Sequence, residues 1–125
     1  MSPFVKKHNS LTEILTDHEL ASLGDAYVNL ACSLALSNKK GRPYGTKTRG
    51  SLLAEALRKA GLRPYLPSRA TRHTLADAAE ALIVYAWLHS CITLDESVTT
   101  LEKNEDLTDG LSELLQKATH RIKLS

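Results

Sequence analysis

Aromatic residues are scarce in this chain, with one Phe, one Trp and four Tyr among 125 residues. Val and Ile are sparse too, which disfavours strands and leaves Leu- and Ala-rich helices as the main source of a core. Few of the aromatics lie in basic stretches, so stacking platforms for single-stranded nucleic acid are not expected. Cysteine is limited to Cys32 and Cys91, each at the end of an apolar run and without C-x-x-C spacing. That excludes a zinc ribbon or disulfide framework and fits two buried thiols of a cytoplasmic protein. No G-x-S-x-G elbow accompanies His18, His73 or His89, so a Ser–His hydrolase is not supported. Met1–Asn9 is short and basic rather than apolar, no charge-free run reaches the length of a membrane span, and no internal repeat is visible. A membrane partner is therefore not expected.

The length fits one domain, residues 1–125, with a single core. Its pattern predicts an all-α outline. Ser10–Leu15 reads as a short helix with Ser10 as N-cap and Glu13 completing a capping box. Asp17 or Thr16 caps a long helix through Leu36. Ser37–Gly50, with three glycines, a proline and five Lys or Arg, reads as the clearest loop. Ser51 caps a helix to Ala60 that Gly61 ends, and Pro64 and Pro67 bound an extended turn. Thr74 caps a helix through His89, and Asp95–Lys103 and Thr108–Ile122 complete the chain as amphipathic helices.

Three carboxylates sit where carboxylates are costly. Asp25 is the only acid between Leu20 and Leu36, and Asp77 and Glu80 are the only charges between Leu75 and Leu88. An acid in an apolar helix needs a cation or hydrogen-bond donor to meet it. Asp77 and Glu80, at i and i+3, share a helix face, while Ser22, Asp25 and Asn29 form a polar stripe on the earlier helix. If the stripes face each other, three carboxylates and the Asn29 amide oxygen converge on one point. That would be an all-oxygen site suited to Mg²⁺ or Mn²⁺ rather than Zn²⁺. The plainer alternative has Asp25 capping a backbone end and Asp77 and Glu80 paired with arginines such as Arg69 or Arg72.

Formal charge is nearly balanced at +2, but its placement is not even. Lys39, Lys40, Arg42, Lys47 and Arg49 crowd one loop, and Arg69, Arg72 and His73 precede the second acidic helix. Acids gather in the C-terminal third, from Asp95 to Glu113. One positive face results, as a binder of phosphate backbones requires. Cations without aromatics suit the shape and backbone of an A-form RNA duplex, although such loops also occur simply as solvated surface.

LGDAYVNL at Leu23–Leu30 resembles the signature helix of the ribonuclease III endonuclease domain. SRATRHTLADAAEALIVYAWLHS at Ser68–Ser90 is similar to that family's second acidic helix, and SLLAEALRKAGLRPYLPS at Ser51–Ser68 to the helix between them. The blocks occur in order over roughly residues 17–101. Where the family's signature carries a Glu four residues before its Asp, this chain has Ala21; the position seven before is His18. The small Mini-III relatives share the Ala but lack the Asp that this chain keeps as Asp77.

The resemblance implies an all-helical, homodimeric endonuclease domain without an appended double-stranded-RNA-binding domain. It implies Asp25, Asp77 and Glu80 as catalytic residues holding Mg²⁺ or Mn²⁺, with Ser22 and Asn29 supporting them. Lys39, Lys40, Arg42, Lys47, Arg49, Arg69, Arg72 and His73 are the expected RNA contacts. The implied activity is endoribonucleolytic cleavage of structured or double-stranded RNA to 5′-phosphate and 3′-hydroxyl ends. The alternative is a catalytically silent relative that binds RNA as a scaffold, for which Ala21 speaks. A helix-turn-helix DNA binder built on Ser51–Tyr65 would leave the three acids unexplained. A helical pyrophosphatase would need a second acidic pair that is missing.

Overall fold

A computed structural model describes residues 3–124. It contains six α-helices and no strand among the described residues, as the Leu/Ala-rich composition predicts: α1 (Leu11–Leu15), α2 (His18–Lys40), α3 (Gly50–Lys59), α4 (Arg72–Leu88), α5 (Leu94–Lys103) and α6 (Leu107–Arg121). A short 3₁₀ turn at Arg63–Tyr65 joins α3 to α4.

The centre of the molecule is α4. Every residue from Ala78 to Ala86 is buried, so this helix is apolar almost all round and is covered by neighbours on all sides. α1, α2, α3 and α6 all pack on it; α5 bridges α2 and α6. Glu80 is the one charged side chain in that buried stretch.

Several helix ends differ from the sequence reading, each for a local reason. Ser10 caps α1 by accepting from the Glu13 amide at 3.1 Å, while the Glu13 carboxylate reaches the Asn9 amide rather than closing the box on Ser10. Asp17, not Thr16, caps α2 through the Glu19 and Leu20 amides. α2 continues past Leu36 to Lys40, because the first residue to adopt the left-handed conformation is Gly41, at φ 71°. Ser51 caps nothing: α3 starts at Gly50 after Arg49, which makes no side-chain cap. Thr71 caps α4 by accepting from Thr74, so the predicted cap lies inside the first turn.

α2 is 23 residues long and, by length and apolarity alone, could cross a membrane; here its buried side packs on α4 and α5. The chain before α1 is tied down at His8, whose amide donates to the Tyr85 hydroxyl at 3.0 Å and whose ring meets Asp17 at 2.9 Å. A cavity of about 840 Å³ lies beside this segment, and none of the three predicted acids lines it.

Candidate active site

Gly24 determines how the two acidic helices meet. A Cβ at this position would stand 2.2 Å from the Glu80 carbonyl oxygen and 2.5 Å from its carbon. α2 therefore rests directly on the α4 backbone, and only glycine permits that approach. The crossing places Asp25, the next residue, against Glu80. The glycine in the Leu-Gly-Asp string is thus a packing requirement of the carboxylate pair.

Asp25 and Glu80 are close enough for their side chains to hydrogen-bond. Two carboxylates in contact bind one proton between them. Burial first, then the hydrogen bond and charge of Asp25, then the charge of Asp77, push the Glu80 carboxyl up to about 8; Lys47 acts weakly in the other direction. Near pH 7 the pair therefore carries about one negative charge fewer than two free acids would. Neither Arg69 nor Arg72 forms an ion pair with Asp77 or Glu80 among the described residues, so the alternative of arginine-neutralised acids does not hold.

The predicted convergence of four groups is only partly realised. Asp77 is half-buried and acts on Glu80 through its charge. Among the described residues no group of three His, Cys, Asp or Glu side chains is close enough to hold one metal ion. Helical spacing of i and i+3 leaves the Asp77 and Glu80 side chains about 60° apart around the axis.

The Asn29 oxygen is also committed elsewhere. It accepts from the Thr48 amide at 2.7 Å, and the Asn29 amide group donates to Asp25 at 3.4 Å. Asn29 orients Asp25 and pins the basic loop to α2, rather than offering an oxygen to the site. Ser22 is exposed, and no hydrogen bond of its side chain reaches Asp25 among the described residues. Ala21 is buried at 5 % exposure, so the position of the absent acid is filled by core packing.

The basic residues divide into two groups. Lys39 donates to the Asn104 carbonyl at 2.9 Å, and Lys40 sits over the Tyr44 ring. Arg42, Arg49, Arg69, Arg72 and His73 are exposed and make no ion pair among the described residues. Lys47 reaches back over the acids, its ammonium 3.7 Å from Asp25. Lys47, Arg49 and Arg72, with Thr48, Gly50 and Ser51, line an open cleft of about 460 Å³ at the start of α3. The sequence showed these cations as neighbours of the site; that three of them share one cleft depends on the α3–α4 packing. Of the acids of the C-terminal third, Glu113 pairs with Lys103 and Lys117, Glu96 with Arg121 and Lys117, and Asp109 with Lys59.

The site thus combines a proton-sharing pair of hard oxygen ligands with a cationic cleft beside it. Such a pair fits a divalent cation, which would take the place of the shared proton. No curated protein matches the chain. The family model described as Ribonuclease III matches residues 18–122, from the first residue of α2 to just beyond the end of α6, with the Gly24 crossing, the carboxylate pair and the cleft all inside the matched region. The chain belongs to the ribonuclease III family.

Proposed function

We propose that this protein is a metal-dependent endoribonuclease that cleaves structured or double-stranded RNA to 5′-phosphate and 3′-hydroxyl ends. The observation that carries the reading is the Asp25–Glu80 pair, built by the Gly24 crossing inside a ribonuclease III domain. That family generally uses a divalent metal and acts on double-stranded RNA, and ribonuclease-type function follows from membership.

In this reading Asp25 and Glu80 hold Mg²⁺ or Mn²⁺, with Asp77 as the third carboxylate at the rim. The chemistry supplied by the bound ion is acidification of water and neutralisation of charge at the scissile phosphodiester. Glu80 would hold the ion as a carboxylate with its proton released to solvent, and its buried place on α4 keeps that side chain in a fixed position. Asn29 holds Asp25 in register. Arg49, Arg72 and Lys47 draw the RNA backbone toward the acids, and Arg42, Arg69 and His73 extend the positive surface. Water adds to phosphorus, the bond to the 3′-oxygen breaks, and that oxygen leaves as a hydroxyl.

Leu23, Leu30 and Leu34 project from the solvent side of α2, with Trp87 of α4 also exposed. This apolar face supports a homodimer, with the two acid pairs presented to one duplex.

The experiment is incubation of a long duplex RNA with the protein and Mn²⁺, with Asp25→Asn as control. Cleavage by the wild type and none by the variant supports the reading. Duplex binding without cleavage favours the scaffold alternative, for which buried Ala21 and the outlying Asp77 speak.

A further inference from the structure

Lys47 belongs to two sites at once. Its ammonium is 3.7 Å from the Asp25 carboxylate, and its side chain lines the cleft at the start of α3. The neighbouring residue fixes that position: the Thr48 amide donates to Asn29 at 2.7 Å, and Asn29 in turn donates to Asp25. The backbone at Lys47 is therefore tied to the same helix turn that carries the acid. Its side chain, by contrast, is 79 % exposed and free to swing.

The cleft offers such a side chain a second partner. Arg49 and Arg72 flank it and make no ion pair among the described residues. α3 begins there without a side-chain cap, so the Gly50 and Ser51 amides face the cleft unpaired by a side chain. Two guanidinium groups, an ammonium and a helix start form a place for a phosphate. The acids on one side of Lys47 are a place for a cation. A lysine within reach of both opposes the metal while it sits on Asp25 and assists the RNA when it leaves.

We propose that Lys47 is a positioning residue that occupies Asp25 as a stand-in cation in the metal-free protein and moves to an RNA phosphate in the α3 cleft when the divalent ion takes its place. The proposal rests on the metal-dependent reading of the acid pair given above. It makes metal loading and RNA grip mutually supportive, because each gives the lysine a reason to leave the other's ligand.

The test uses Lys47→Met, which keeps the length of the side chain and removes its charge, with Lys47→Arg as the conservative variant. Mn²⁺ binding is measured by calorimetry on the full chain without RNA. Duplex-RNA binding is measured separately over a range of salt at a fixed, saturating Ca²⁺ concentration, so that a divalent ion occupies the acids and Lys47 is displaced. Lys47→Met should bind Mn²⁺ two- to fivefold more tightly than wild type, the range that one exposed ion pair supports. The same variant should bind duplex RNA more weakly, with the slope of log affinity against log salt reduced by about 1, and Lys47→Arg should restore the slope.

Unchanged or weaker Mn²⁺ binding in Lys47→Met, beside a wild type that binds Mn²⁺, overturns the proposal and leaves the nuclease reading intact. An unchanged salt slope also overturns it, since the lysine then never reaches phosphate. Absence of Mn²⁺ binding in both wild type and Lys47→Met removes the metal-dependent reading itself, and the proposal with it.

Discussion

Glu80 is the residue on which the proposed chemistry depends, because it is an acid in a place that disfavours charge. Its folded-state value near 8 stands well above the ordinary 4.5. Between those two pH values the folded protein retains a proton that the unfolded chain has released. The resulting stability is fully present below about pH 4.5 and is lost as pH rises through 8. Glu80→Gln, which is always neutral, should therefore match the wild type near pH 4 and exceed it by a few kcal/mol at pH 9 in the metal-free protein, as measured by urea denaturation. Parallel stability profiles of the two proteins from pH 5 to 9 would show that Glu80 is not held protonated.

At this scale much of the site was legible in the sequence. Lone acids in apolar helices announce themselves, and their spacing predicted that the two acidic stripes would face each other, though not that Asp25 and Glu80 would meet without Asp77 and the Asn29 oxygen. The part that was not legible depends on side-chain directions. Asn29 turns its oxygen to the loop because the Thr48 amide needs an acceptor, and Asp77 stays apart because nothing positive draws it in. Neither spacing nor composition carries that information.

Among the elements, the α2–α4 crossing sets the geometry of the site, and Gly24 sets the crossing. Gly24→Ala would force a Cβ into the Glu80 backbone, which has no rotamer with which to move away. It should cost about 3 kcal/mol or more, seen as a lowered urea midpoint, although alanine is the better helix former by about 1 kcal/mol. A neutral or stabilising result would mean that the helices do not touch there. The helices themselves were readable from the apolar pattern, and six appear in the predicted order. Their ends were less readable: Thr74 was expected to cap α4, but Thr71 three residues earlier does so. The choice falls to the residue whose backbone is extended, here Thr71 at ψ 171°.

For the molecule as a whole, the exposed leucines of α2 are the proposed partner surface. Leu30 is 49 % exposed and lies one turn from Leu34 on the same face of α2, opposite the side that packs on α4. Leu30→Asp with Leu34→Asp should convert a dimer to a monomer of unchanged helical content, by light scattering and circular dichroism. A wild type that is monomeric at micromolar concentration would place the interface elsewhere or deny it. The resemblance implied a homodimer but not which face of α2 would be left exposed, since the inward and outward leucines look alike until α4 covers one set.

Glu80 stands within nine successive buried residues of the central helix, whereas the cations proposed to meet RNA stand on an exposed loop and at helix starts. The two halves of the site are therefore under different constraints as the sequence drifts. A change near the acids disturbs the core and is removed with the fold, so the carboxylate pair can persist in descendants that no longer cut. A change at the exposed Arg42 or Arg49 leaves the core untouched and alters only the charge that the loop presents. Within such a lineage, new substrates can arise by rewriting the loop while the catalytic floor is inherited unaltered.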